Sequence, residues 1–269
     1  MSGWPRDYTP QDRRKLQLLS GNRCAFPNCD FRITDGKTET FLSNICHIED
    51  ANPGWRYNPD MTNAERAWFD NLIILCPNHH ILTNDKNNFS VQDLKDMKRN
   101  HESKQLESKL TENPSMLGAA VTAISKIKLG KFEESEVSAV FDPNIKITFN
   151  SVKRNISRIN EYKIYHEKIN SLYDELEREG SVKKENLLST IKIIYIRIKG
   201  KYVMDSNTPL DVIRENADNI IEDVYEELYK ELHNNGLFRE DITIALELIV
   251  VDAFIRCKIL EEPKDYDNQ

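Results

Sequence analysis

The sequence lacks a hydrophobic run that could cross a membrane, and it lacks the basic start and apolar core of a signal peptide. Its longest apolar stretch, residues 242–255, is interrupted by Glu247 and Asp252 and falls short of the roughly 20 residues that a bilayer requires. The first five residues, MSGWP, contain no basic side chain. We therefore expect no membrane association and a cytoplasmic location.

An excess of positive charge is also absent, since 37 Lys and Arg stand against 44 Asp and Glu, a net charge of −7 over 269 residues. Residues 1–112 carry 15 basic and 16 acidic side chains, whereas residues 113–269 carry 22 and 28. This balance argues against a long, nonspecific nucleic-acid footprint. It is compatible with a compact site in the first half that binds a few phosphates.

Cysteine is scarce, with five residues in all. Cys257 lies alone in an apolar run and is expected in the core. Two pairs with short spacing are suited to close one tetrahedral zinc site: Cys24, Cys29, Cys76 and His79. Their clustering predicts metal binding in a reducing compartment and argues against a disulfide framework. Cys46 falls in a predicted strand, where we expect a small buried side chain and not a ligand.

The first 112 residues combine helix and strand signals. Thr9, followed by proline, predicts a helix that ends at about Leu19. Short strands are predicted at residues 45–48 and 72–75, and Ser90 is expected to cap a helix over residues 91–110.

The second half is predicted to be helical. Residues 113–149 are expected to form a linker with a short helix near 119–127 and a short strand at 145–149. Apolar spacing then predicts helices around 162–176, 187–198, 208–236 and 241–260, the last at the centre of a bundle. Residues 150–263 contain no nucleophile–base pair, no glycine-rich phosphate loop and no metal-ligand spacing. His166 and His233 are expected at the surface.

The predicted fold class of the whole chain is α+β, with one domain at residues 1–112 and another at residues 150–269.

The residues left over by the zinc site suit phosphodiester hydrolysis, which needs a base for the attacking water and a cation near the leaving oxygen. His47 is suited to act as the base because imidazole titrates near neutral pH. Asn71 could orient that ring by a hydrogen bond. His80 and Asn84 are spaced to face one cation on a helix, and Asp85 offers a harder oxygen as an alternative ligand.

Five motifs occur in order: GNRC at 21–24, CHI at 46–48, GWRYNPDMT at 54–62, NLIILCPNHH at 71–80 and KRNHE at 98–102. Together they resemble the zinc-stapled ββα-metal core of HNH endonucleases, in the branch found in bacterial anti-phage effectors. The resemblance implies DNA as substrate, His47 as general base, Asn71 as its orienting residue, and His80 as a ligand of catalytic Mg²⁺ or Mn²⁺. Many HNH enzymes carry Asp immediately before the base, and here that position is Cys46. The other ligand is left open between Asn84 and Asp85.

The function of Arg56, within the GWRYNPDMT motif, has two interpretations. Its guanidinium could bind a DNA phosphate, or it could close its own loop. The sequence does not favour one over the other.

The second half carries a resemblance of its own, strongest in IVVDAFIRCK at 249–258 and supported by shorter motifs at 162–169, 173–177 and 183–186. These residues resemble the C-terminal domain of effectors in ABC-three-component, Lamassu-like defence systems. The resemblance implies two partners, an SMC-like ABC ATPase and a small middle subunit.

We therefore predict an HNH endonuclease fused to a helical partner-docking domain, which cuts DNA when its partners sense phage DNA. One alternative is an autonomous, restriction-like nuclease that forms a homo-oligomer through residues 150–263. Another is a zinc-stapled DNA-binding adaptor without catalysis.

Overall fold

The computed structural model describes residues 4–35, 40–85, 88–127, 142–204, 206–233 and 239–263. Over these residues the chain is rich in helix and contains one two-stranded sheet. It divides into two compact units between Asn113 and Pro114. No helix in these ranges is both long enough and apolar enough to span a bilayer.

The first unit holds the sheet. In chain order its described elements are α1 (Pro10–Leu19), β1 (Asn44–His47), α2 (Asn63–Arg66), β2 (Leu72–Leu75), α3 (Pro77–Thr83) and α4 (Val91–Glu112), with a 3₁₀ turn at Phe69–Asn71 before β2. Thr9 accepts a hydrogen bond from the Asp12 amide at the start of α1, and Ser90 forms a reciprocal capping box with Asp93 at the start of α4. The predicted starts of these two helices are therefore confirmed.

The two strands pair antiparallel, with Cys46 opposite Ile73 and His47 opposite Leu72. Because side chains alternate along a strand, the sheet presents a different set of residues to each neighbouring helix. One face packs Cys46 and Ile73, among others, into a core with Leu94 and Met97 of α4. The other face packs Leu72, Ile74 and Ile45 into a second core with Leu16 and Leu19 of α1. The sheet is thus covered on both sides.

The second unit is helical throughout its described residues. Its elements are α5 (Met116–Ser125), α6 (Pro143–Phe149), α7 (Ile156–Tyr162), α8 (His166–Arg178), α9 (Lys183–Val203), α10 (Pro209–Glu215), α11 (Ala217–His233) and α12 (Arg239–Ile255), with a 3₁₀ turn at Lys163–Tyr165. Helix α12 contacts α5, α7, α8 and α11, and every side chain from 242 to 255 is buried. This confirms the predicted central helix.

Two features of the predicted linker differ in the structure. The strand expected at 145–149 is wrong, because these residues form α6. Asp142 accepts from the Asn144 amide and Pro143 occupies the first helical position, so a helix start prevails over the short apolar alternation. Helix α5, which begins at Met116, packs against α9, α11 and α12 and is part of the core of the second unit.

Two predicted helix bounds also shift. The helix expected over 208–236 is interrupted at Asn216, which separates α10 from α11, and Gly236 lies outside the described residues. Helix α12 ends at Ile255, before the expected residue 260, because a Schellman motif follows it. The Lys258 amide donates to the Ala253 carbonyl and the Cys257 amide to the Phe254 carbonyl. Cys257 adopts φ of +58°, as this motif requires.

Candidate metal centre and active site

The four predicted zinc ligands come together in the first unit. Cys24 and Cys29 lie in the turn after α1, Cys76 lies between β2 and α3, and His79 lies in the first turn of α3. Their ligand atoms all lie within 4.8 Å of one another. His79 Nδ1 is 3.2 Å from Cys76 Sγ and 3.6 Å from Cys24 Sγ. Tetrahedral zinc, with bonds of about 2.3 Å to sulfur and about 2.0 Å to nitrogen, would separate these atoms by about 3.5 Å. The donor set and its geometry therefore fit one zinc ion.

Backbone hydrogen bonds fix the ligand turn against the sheet. The Ala25 amide donates to Ile74 of β2, and the Cys29 amide donates to Phe26 within the turn. The Phe26 ring stacks on the His79 imidazole at 3.8 Å, with an interplanar angle of 4°. Burial raises the pKa of the Cys24 thiol to about 12, so a thiolate at this position depends on a neighbouring cation.

The imidazole of His47 is held by a segment that precedes α1. Its Nε2 lies 2.8 Å from the Pro5 carbonyl oxygen. A carbonyl only accepts, so Nε2 carries the proton and Nδ1 keeps its lone pair. Tyr8 packs at 5.7 Å between ring centroids. Burial, partly opposed by the hydrogen bond to Pro5, lowers the pKa of His47 below its usual value of 6.5. The ring is therefore neutral at pH 7.

Asn71 does not bind the His47 ring, so the expected orienting hydrogen bond is wrong. Its Oδ1 accepts from the Glu49 amide at 2.7 Å, and its Nδ2 donates to the Glu49 and Arg66 carbonyls at 3.0 Å each. The side chain is 5% exposed. Asn71 therefore fixes the chain that follows His47 to the chain that precedes β2, and the carbonyl of Pro5 contacts the ring in its place.

Cys46 and His80 form a close pair in a cavity that His47 also lines. The Cys46 sulfur lies 3.1 Å from His80 Nδ1. Cys46 is buried as predicted, at 7% exposure, and burial raises its thiol pKa to about 12. Asn84 lines the same cavity as this pair, whereas Asp85 does not line it and accepts a hydrogen bond from Asn88 at 2.7 Å. Of the two proposed oxygen ligands, only Asn84 is beside His80.

A cavity of about 490 Å³ brings these groups together. Its lining includes His47, Cys46, His80 and Asn84. It also includes Arg6, which precedes α1 and which the sequence analysis did not single out. No local pattern marks Arg6, because it reaches the site only through the path of the chain before α1.

Arg56 also lines the cavity, but its guanidinium is committed to the protein. Its Nη1 donates to the Thr83 carbonyl at 3.1 Å, and its Nη2 lies 3.4 Å from Asp50 Oδ1 and from Asn84 Oδ1. The side chain is buried. Of the two interpretations of Arg56, these contacts favour loop closure.

The second unit contains a buried polar network within its IVVDAFIRCK motif. Asp252 is 1% exposed and accepts hydrogen bonds from Tyr173, His166 and Arg256 at 3.1, 2.9 and 3.0 Å. The network joins α12 to α8. The prediction that His166 lies at the surface is wrong, since its side chain is half-buried and hydrogen-bonded to Asp252.

A second buried contact joins α6 to the turn after α12. Lys146 Nζ donates to the carbonyls of Phe254 and Ile259, the latter at 2.7 Å. Burial lowers the pKa of Lys146 to about 8. Together with the Asp252 network, this contact ties the end of α12 and the turn that follows it to α8 and α6.

Comparison with known proteins identifies the second unit. The family model described as C-terminal domain 10 of the ABC-three component (ABC-3C) systems matches residues 116–261. The match begins at the first residue of α5 and extends through the turn that binds Lys146. No curated protein and no solved structure matches the chain. The family match covers more than half of the sequence. The chain therefore belongs to the family of C-terminal domain 10 of the ABC-three component systems, which supports a role in a defence complex of that type.

Proposed function

We propose that the chain is an HNH endonuclease that hydrolyses DNA as the effector of an ABC-three-component defence complex. The first unit would carry the chemistry, and the second would dock onto partner subunits. The proposal combines the family of the second unit with the arrangement of His47 in the first.

The state of His47 is the observation that carries the proposal. A general base must be neutral and must offer a free lone pair to the attacking water. Burial keeps the imidazole of His47 neutral, and the hydrogen bond from Nε2 to Pro5 leaves the lone pair on Nδ1. A purely structural zinc knuckle would not need a neutral histidine beside a cavity of this size.

The proposed reaction is in-line attack of water on a phosphodiester. His47 Nδ1 takes a proton from the water, the water oxygen bonds to phosphorus, and the bond from phosphorus to the leaving oxygen breaks. Charge then builds up on that oxygen and needs stabilisation. Arg6 is the basic side chain of the cavity lining that remains available for a phosphate, since Arg56 is committed to Thr83 and Asp50.

Magnesium or manganese, which the HNH resemblance implies, does not fit the donors beside His80. Mg²⁺ prefers octahedral oxygen ligands. The side chains that flank His80 are a thiol, Cys46, and a neutral amide, Asn84. We therefore assign no step to a hard cation.

The test of catalysis is plasmid cleavage by the full-length chain, with a series of divalent cations that includes Mg²⁺, Mn²⁺, Co²⁺ and Zn²⁺. His47→Ala should abolish cleavage and leave the fold and zinc content unchanged, because His47 lies outside the zinc cluster. His233→Ala, at an exposed position in the second unit, is the matched control and should cleave like the wild type. Cleavage by His47→Ala at the wild-type rate would refute the assignment of the base.

The docking role is tested separately. We propose that the second unit, Pro114–Gln269, binds a partner that contains an SMC-like ABC ATPase and a small middle subunit, and that the complex keeps the nuclease silent. The wild type and His47→Ala are expressed with and without the neighbouring operon genes. Toxicity that requires His47 and is suppressed by those genes supports the proposal. If the genes change nothing and the second unit binds only itself, the chain is an autonomous dimeric nuclease.

A further inference from the structure

The close pair formed by Cys46 and His80 has no role in the structural zinc cluster. His79 and His80 are adjacent on α3, yet their Nδ1 atoms approach different sulfurs. His79 Nδ1 faces Cys76 and Cys24, whereas His80 Nδ1 lies 3.1 Å from Cys46. Successive helical residues diverge by about 100°, so α3 offers one imidazole to each of two sites. The cluster suited to structural zinc does not include Cys46 or His80.

The donors around His80 are soft or neutral. Among the side chains that line the cavity, Asp50 is the one carboxylate, and it is bound to Arg56 through both the guanidinium and the backbone amide. Glu49, which directly precedes Asp50 and does not line the cavity, lies 3.0 Å from the Lys95 ammonium. Neither carboxylate belongs to a cluster with Cys46 and His80. What remains is a thiol and an imidazole, since the amide oxygen of Asn84 also lies 3.4 Å from the Arg56 guanidinium.

This donor set selects among cations. Thiolate and imidazole ligands suit zinc, cobalt and related borderline cations, whereas Mg²⁺ and Mn²⁺ prefer carboxylate, carbonyl and water oxygens. The distance of 3.1 Å between the two atoms is compatible with neighbouring positions around one such ion. Catalytic zinc sites hold the ion with three protein ligands and one open position; with two protein ligands, this site would leave at least two positions for water or phosphate oxygens.

We propose that Cys46 Sγ and His80 Nδ1 are the protein ligands of a second metal site in this cavity, which takes a zinc-like cation in preference to Mg²⁺. The inference deepens the proposed function, since the site adjoins His47. It is tested by binding without DNA, so that a failure of cleavage leaves the result on the metal intact.

The experiment titrates Co²⁺ into the full-length chain purified with about one zinc per chain. One Co²⁺ ion should bind per chain as the second metal equivalent, in addition to the zinc, and produce a thiolate-to-cobalt charge-transfer band. Elemental analysis should then give one zinc and one cobalt per chain. Cys46→Ser should abolish the band, and His80→Ala should abolish binding of the second equivalent. Cys257→Ser is the control, because Cys257 is buried in the second unit, and it should keep the full band.

Competition decides the cation class. A large excess of Mg²⁺ should leave the cobalt band unchanged, whereas Zn²⁺ should remove it. The proposal is overturned if no second equivalent binds, if the second equivalent shows no thiolate band, or if Mg²⁺ displaces cobalt. If no cobalt binds beside the zinc, Cys46 and His80 form only a thiol–imidazole hydrogen bond. Should Cys46→Ser fail to fold, His80→Ala and the competition decide the outcome.

Discussion

Replacing Asp252 by alanine removes the acceptor at the centre of the buried network of the second unit. The carboxylate is 1% exposed and receives hydrogen bonds from Tyr173, His166 and Arg256. Hydrogen bonds to a charged group contribute about 1.5–3 kcal/mol each. His166 and Arg256 keep some access to water, with 23% and 14% of their side chains exposed, so their losses are partly recovered.

We therefore expect Asp252→Ala to lower the free energy of unfolding of the second unit by about 4 kcal/mol, within the range for breaking a buried ion pair. With a urea dependence of about 2 kcal/mol per molar, the midpoint would fall by about 2 M. Tyr173→Phe removes one of the three donors and should cost about 1–2 kcal/mol. Asp174→Ala, an exposed carboxylate on α8, is the control and should cost less than about 0.5 kcal/mol.

The chain permits the two units to be followed separately. Its three tryptophans, Trp4, Trp55 and Trp68, all lie in the first unit, whereas eight of the twelve described α-helices lie in the second. Urea unfolding is therefore recorded by tryptophan fluorescence and by circular dichroism at the helical band. Asp252→Ala should shift the second signal and leave the first in place. A loss of less than about 1 kcal/mol, equal to that of Asp174→Ala, would refute the proposed stabilisation by the network.

Three further predictions concern other buried contacts. Cys76→Ser should remove the zinc, about one per chain by elemental analysis, and unfold the first unit, because structural zinc supplies folding free energy; retained tryptophan fluorescence would contradict this. Asn71→Ala should lower the stability of the first unit by about 3 kcal/mol, since it leaves three buried backbone groups without their partner. Burial lowers the pKa of Lys146 to about 8 from 10.5. Between these values the unfolded chain binds the proton that the folded chain has lost, so stability should rise with pH by up to about 3 kcal/mol in the wild type and not in Lys146→Met.

The sequence predicted those elements whose signals are local. Thr9 and Ser90 predict the starts of α1 and α4, because a capping side chain and the residue it binds lie within one turn. The zinc ligands were found for the same reason, since each pair lies in a single turn. Strand β2 ends at Leu75, directly before Cys76, and so brings Cys76 and His79 close to Cys24 and Cys29.

What the sequence did not predict depends on contacts between distant residues. Pro5 lies 42 positions before His47 and acts through a carbonyl, which every residue has. Asn71 bears the amide expected of an orienting residue, but its partners are backbone groups that only the packed chain brings near. The strand predicted at 145–149 fails for a different, local reason: the apolar alternation of Ile145, Ile147 and Phe149 competes with a helix start at Asp142 and Pro143, and the helix start prevails.

The hydrogen bond from His47 to Pro5 has a consequence for how variants of this chain should be interpreted. A backbone carbonyl cannot be deleted by substitution, so the replacement of Pro5 by another residue removes no acceptor. The tautomer of His47 changes only if the main chain of residues 4–8 moves away from the ring. A substitution scan could therefore pass over this segment without detecting its role. An insertion between Pro5 and Tyr8 that shifts the carbonyl would reveal it, because Nδ1 and Nε2 could then exchange their proton freely.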